Sequence, residues 1–306
     1  MTNSESIKRS YAFGKKTYLS LGKIRRFVLF FSRAVLHARA LGDIYDFFDA
    51  TELRRELFAG VPSFIEFIPR RLFYAGSTLR ERCELMKFHF SHLEKILSPD
   101  ALKKIYELDG STGAQLWEGD FDEGKKVSFR LCGLRKEGLF SLELCVGGDV
   151  VYNVNAWIAA TRENASAPAL WIGAMQGSGA DNAPEIIKKL AKHFAGYRPK
   201  NLIVYIARAL ARSLGCEKIY AVSNAGFYAN NGIRIDRKLK TNLDEFWAET
   251  DGFCTDDRRF FELALVEPRK SLEEMKPNKR SMYRKRFVLL DAFDADIASA
   301  IDALRR

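Results

Sequence analysis

The sequence predicts an α+β protein, with a helical N-terminal region followed by a mixed, mostly antiparallel sheet flanked by helices. Three observations predict it. From Lys8 to about Leu108, apolar residues recur at three- and four-residue steps, with Pro and Gly only between segments. Between Gln115 and Gly177 the period falls to two. Beyond that, a helical stretch feeds a short apolar strand, the order of a parallel crossover.

In chain order, the first region predicts helices over Gly22–Leu41, Ile44–Phe58, Leu79–Leu97 and Pro99–Leu108. Ser98-Pro99 is an N-cap followed by Pro at the first helical position, where its missing N–H costs nothing. The alternation of Val127–Leu131 and Phe140–Val146 predicts two strands, and Gly147-Gly148-Asp149 a hairpin turn into a third at Val150–Ala159. Ala169–Gln176 closes the meander. Helices follow at Ala183–Phe194 and Asn201–Leu214, the second ended by Gly215, and then a buried strand at Glu217–Ser223. The remainder predicts strands at Ile233–Arg237 and Phe260–Ala264, a helix at Leu243–Glu249 and a terminal helix around Lys279–Leu304. Two regions result, helical over 1–110 and α/β over 111–306.

The 306 residues, 47% of them hydrophobic, suffice to bury a sizeable core. A net charge of +10 favours an anionic partner: a phosphorylated cofactor, a lipid headgroup or nucleic acid. Nucleic acid is disfavoured, because the basic residues are spread along the chain and no RNP1, KH or helix-turn-helix pattern occurs. The five cysteines are widely spaced with no CxxC pair, so they read as reduced thiols and no metal site is expected. The polar N-terminus lacks the apolar run of a signal peptide, and Phe27–Phe31 is too short to span a bilayer, which needs roughly 20 residues. A cytoplasmic location is expected.

Two basic segments have alternative readings. Lys15 to Arg39 interleaves cations with Phe27, Leu29, Phe30, Phe31, Val35 and Leu36, which suits either a core-packing helix or one lying on an anionic inner membrane. Lys279–Leu290 does the same, either holding an anion or packing an apolar stripe beneath a hydrated basic face.

A meander strand, a polar loop, a helix and a strand ending in Val222-Ser223-Asn224 together resemble the GNAT superfamily of acyl-CoA-dependent acyltransferases. The resemblance implies an acyl-CoA or acyl-carrier-protein donor, with its pantetheine arm along the central strand and its pyrophosphate at the following helix's N-terminus. It assigns the donor to Gln176, Gly177, Ser178 and Gly179, to Arg198, Lys200 and Asn201, and to Asn224. Unpaired N–H groups and the positive end of the helix dipole make such a terminus an anion site. Asp181 departs from the superfamily's glycine-rich loop. The resemblance further implies an amine- or hydroxyl-deprotonating group on the meander, where Glu118, Asp120, Glu143, Asn155 and Trp157 lie, of which Glu143 is the candidate. It implies a Tyr that protonates the leaving thiolate, the position held by Tyr228.

A longer likeness, from Phe58 to Leu290, rests on Trp171-Ile172-Gly173 with Gln176-Gly177, Gly196-Tyr197-Arg198-Pro199-Lys200, Ala221–Asn224, Asp244–Trp247 and Lys279–Phe287 in this order. These blocks resemble the VirK/YbjX family of Gram-negative bacteria, which is associated with virulence and envelope integrity. Ala225-Gly226-Phe227 stands where members often carry a His. The resemblance implies either acyl transfer in envelope modification or a non-catalytic accessory factor that binds a membrane or a partner protein.

Overall fold

A computed structural model of the chain describes residues 1–135, 137–229 and 241–306. Helices α1 (Asn3–Thr17), α2 (Ile24–Leu36), α3 (Ala38–Asp49) and α4 (Glu52–Gly60) lead through a short 3-10 turn to α5 (Leu79–Ile96) and α6 (Pro99–Ile105). Five strands follow, β1 (Ala114–Asp120), β2 (Lys126–Cys132), β3 (Phe140–Val146), β4 (Asp149–Ala160) and β5 (Pro168–Gly177). Then come α7 (Ala183–His193), α8 (Pro199–Ser213), β6 (Lys218–Val222), α9 (Leu243–Glu249), β7 (Phe253–Cys254), β8 (Phe260–Leu263) and α10 (Pro277–Ala303).

The strands form one sheet in the order β1-β2-β3-β4-β5-β6-β8-β7. Every pairing is antiparallel except β5 with β6, so the predicted α+β class, meander and crossover are all present. Gly147 and Gly148 both have positive φ at the β3–β4 turn, which demands glycine-like residues there. α8 is buried from Leu202 to Ala211, wedged between the sheet and α10. Inside it, Arg208 donates to the Thr250 carbonyl at 2.6 Å and pairs with Glu267 at 3.1 Å. α5 runs along β4 beyond the end of β3, where the buried Ile158 N–H donates to His89 Nδ1 at 3.1 Å. One continuous cluster of buried side chains, from Tyr18 to Ile301, serves the helical region and the sheet together.

Three helical expectations are corrected. The predicted Gly22–Leu41 helix breaks at His37, whose φ of −112° and ψ of 25° redirect the chain. Neither Gly nor Pro marks that break, so periodicity ran through it. The predicted Ile44–Phe58 helix divides at Thr51, whose side chain accepts from Arg54 N as the N-cap of α4. α1 precedes all the predicted helices and starts from a Thr2/Glu5 capping box, a signal the sequence carries openly. The predicted strand Ile233–Arg237 lies outside the described residues.

Candidate functional site

The β5–β6 ladder starts at Ala169↔Lys218 and stops at Ile172↔Ala221, although β5 runs on to Gly177. On its other side β5 stays paired with β4, but the register slips there from Ala156↔Ile172 to Asn155↔Ala174, leaving Gly173 as a bulge. The β2–β3 loop lies flat on this bulge. A Cβ on Gly173 would sit 2.1 Å from the Glu137 carbonyl oxygen and 2.7 Å from the Trp157 ring, and one on Gly138 would sit 2.3 Å from Ala156 N. Two glycines thus permit the close approach that carries Glu137 to the open end of β5.

Glu137 is only 4% exposed. Its carboxylate accepts from Asn155 Nδ2 at 3.2 Å and Gln176 Nε2 at 3.1 Å, and from the Tyr228 hydroxyl. Burial, then the Glu137 charge and hydrogen bond, push the Tyr228 phenol up to about 12, so it holds its proton at neutral pH. Tyr228 is itself fixed by the turn after β6. There Ser223 Oγ donates to the Arg258 carbonyl at 2.7 Å and accepts from Gly226 N, and the Gly226 carbonyl accepts from Ala75 N.

Beside Glu137 the sheet face is polar, because Arg130, Glu143, Asn153 and Gln176 are cross-strand neighbours on β2, β3, β4 and β5. The adjoining row pairs Ser141 with Asn155, both buried. Ser141 Oγ, Asn153 Oδ1 and Asn155 Oδ1 make no hydrogen bond among the described residues. Leaving a buried polar atom unpaired costs about 1–3 kcal/mol, a cost that a bound polar group would remove. Tyr228 also walls a cavity of about 430 Å3 beside α2, shared with Tyr18, Arg26, Phe30, Arg33 and Arg70. Arg70 is ion-paired with Glu66, which accepts a hydrogen bond from Tyr18.

The structure brings together Tyr228, Gln176 and Asn155. Gln176 is turned onto Glu137, so it positions a carboxylate. Glu143 shares the sheet face, but Arg135 at 3.0 Å and Arg130 at 3.6 Å bracket its carboxylate, and the Cys132 thiol donates to it. Two guanidinium groups thus pair with it. Glu118 and Asp120 lie exposed on β1, at the far edge of the sheet, and Trp157 is core, stacked on Trp171. Gly177 lies against the Tyr152 ring, Ser178 N donates to the Val151 carbonyl, and a Cβ on Gly179 would meet nothing within 4 Å.

At the start of α8, Pro199 has no N–H, and the amides of Asn201 and Leu202 both donate to the Arg198 carbonyl. Lys200 reaches Glu249 at 3.1 Å and lies over the Phe246 ring. Arg198 is exposed and makes no ion pair among the described residues. Asn224 is occupied with α9: its N–H donates to Asp244, its Nδ2 to Asn242, and its Oδ1 accepts from Leu243 N. At the basic start of α10, Arg286 donates to the Ala195 carbonyl and Met282 lies against Gly196, while Lys279, Arg284 and Lys285 are exposed. Sequence reading missed Glu137 and Arg70. Glu137 belongs to a loop with no periodicity, and only the following Gly138 hints at a close approach.

The family described as a protein of unknown function (DUF535) matches residues 20–299. An uncharacterized protein of Haemophilus influenzae is 36% identical over 129 residues, 42% of this chain and 43% of that protein. A second from that organism is 33% identical over 135 residues, 44% of this chain and 43% of its own length. The uncharacterized protein YbjX of Escherichia coli is 31% identical over 132 residues, 42% of this chain and 40% of YbjX. The chain thus spans less than half the length of these curated relatives in the matched stretches.

Proposed function

The chain belongs to the DUF535 family, whose activity is unknown, and from that premise we propose that it transfers an acyl group from acyl-CoA or acyl-carrier protein to an amine or hydroxyl acceptor. The observation that carries this reading is the Glu137–Tyr228 hydrogen bond beside a stretch of β5 that β6 leaves unpaired.

Acyl transfer from a thioester needs a base for the acceptor's proton and an acid for the departing sulfur. In this reading Glu137 takes the acceptor's proton while the acceptor's lone pair bonds to the thioester carbonyl carbon. The C–S bond breaks, and Tyr228 gives its proton to the thiolate. The proton on Glu137 then returns to the Tyr228 oxygen along their hydrogen bond, restoring both groups. Asn155 and Gln176 hold the carboxylate in place, and the unpaired Ser141 Oγ and Asn155 Oδ1 receive polar groups of the acceptor. The open β5 backbone over Gly173–Gly177 would accept the amide-bearing arm of the donor as an added strand does, with Arg198 toward its phosphates.

The likeness to VirK/YbjX proteins extends the proposal to acceptors of the cell envelope. Contact with an anionic membrane face is part of it. Between Glu5 and Asp43 every charged side chain is a Lys or Arg, and Leu21, Ile24, Val28 and Leu36 stand exposed among them. Among the described residues no helix is long and apolar enough to cross a membrane. Calorimetric titration with CoA tests donor recognition. Saturable binding weakened by Arg198→Ala is expected, and no binding by the native chain rejects CoA as the donor.

A further inference from the structure

A second cavity, of about 520 Å3, lies between the C-terminal end of α2 and the start of α5. This is the size class of small-molecule sites, about 300–1,000 Å3. Arg33 and His37 wall it on one side, Arg71, Ser77 and Arg82 on the other, and no carboxylate lines it among the described residues. The carboxylate in the first turn of α5, Glu81, is spent on the Thr78 backbone N–H at 2.6 Å and on Tyr74.

Among the described residues the arginines lack counter-ions. Arg82, buried, donates only to the carbonyls of Ile68 and Ser77, and neither Arg33 nor Arg71 makes an ion pair among the described residues. The uncompensated charge is felt within the cluster. Burial and then Arg71 hold the Arg82 guanidinium below its ordinary value, and burial followed by Arg82 and Arg33 lowers His37. The eighteen-residue α5 points its N-terminal, positive end here. Ser77, 2% exposed, lines the cavity with a hydroxyl that makes no hydrogen bond among the described residues. A cationic cluster of this kind, exposed at Arg33 and Arg71 and buried at Arg82, with an idle hydroxyl at a helix start, suits an anion with several acceptor oxygens.

We propose that this cavity binds a phosphate group, carried by an amphiphile's headgroup or by a soluble phosphate ester. Arg33 and Arg71 grip the anion from opposite walls, Ser77 donates its free hydroxyl, and Arg82 supplies charge from beneath. The site is independent of the acyl-transfer reading and would stand if that reading fell. Leu36, 76% exposed at the cavity's rim, offers the apolar contact that an amphiphile's tail would use.

The test uses the full chain in two arms. One titrates inorganic phosphate against chloride at matched ionic strength. The other compares sedimentation with vesicles carrying phosphatidic acid and with vesicles carrying oleate at equal surface charge. Phosphate dependence is expected in at least one arm: in the vesicle arm alone for a headgroup, in both for a soluble ester. Arg33→Gln with Arg71→Gln should weaken it roughly tenfold or more, whereas Arg284→Gln, the same kind of loss on the exposed face of α10, should not. Ser77→Ala removes an oxygen without a partner, so it should weaken phosphate binding while leaving the melting temperature unlowered. Phosphate-independent behaviour in both arms, or equal affinity in the Arg33/Arg71 variant and the Arg284 control, overturns the proposal.

Discussion

Gly173→Ala tests whether the β2–β3 loop is pressed onto the β5 bulge. The added methyl would meet the Glu137 carbonyl oxygen at 2.1 Å, against an ordinary contact of 3.4 Å or more, and the Trp157 ring at 2.7 Å. Neither neighbour can yield cheaply, since one is backbone and the other is a fully buried ring. Overpacking of this kind costs about 1–3 kcal/mol, or about 2–6 °C at roughly 2 °C per kcal/mol for a chain of this size. Gly179→Ala is the internal control, because its methyl would meet nothing within 4 Å. It should leave stability unchanged or raise it by about 0.4–1 kcal/mol through the unfolded chain. Thermal melts of the two variants measure the contrast. If Gly173→Ala melts no lower than Gly179→Ala, the loop does not rest on the strand, and Glu137 is not delivered to the site as described.

Other outcomes follow from the same geometry. Arg208→Ala should cost about 3–5 kcal/mol in denaturant melts, because it strips a buried cation from Glu267 and from the Thr250 carbonyl. His89, buried and holding Ile158 N–H and the Tyr106 hydroxyl, is lowered by burial from 6.5 to about 3. It stays neutral in the fold while the unfolded chain protonates below 6.5, so its contribution is intact above that pH. It drains away at about 1.4 kcal/mol per pH unit as pH falls toward 3. His89→Gln should flatten the slope of stability between pH 6.5 and 4.5 relative to the native chain, and an unchanged slope would mean His89 is not neutral in the fold. Glu143→Gln should act chiefly on stability, measured by melting, since it unbalances Arg130 and Arg135 on the buried sheet face.

Much of this architecture is legible in the sequence because single-face burial leaves a period. The alternation of Phe140–Val146 and the Gly147-Gly148 turn locate β3, the hairpin and the register of the meander. The helix breaks at His37 and Thr51 were hidden because the apolar stripe resumes immediately on the next helix. The candidate site was half legible. Tyr228 follows from its distance beyond Asn224, but its partner Glu137 sits in a loop ninety-one positions earlier, and no local pattern encodes a contact made by folding a hairpin onto a bulge. Glu143 drew attention because it lies on a strand, and its arginine partners on β2 and the β2–β3 loop become visible only with the cross-strand register.

The most direct measurement is turnover of acyl-CoA with an amine or hydroxyl acceptor, followed by chromatographic separation of free CoA and acylated product. It would be run in parallel on the native chain, Tyr228→Phe and Glu137→Gln. Product formation by the native chain is expected, with a loss of roughly 10²–10⁴-fold in each variant and melting temperatures little changed. Turnover indifferent to both substitutions, or no turnover by native protein across short- and long-chain donors on either carrier, would contradict the assignment of Glu137 and Tyr228 as the acid–base pair.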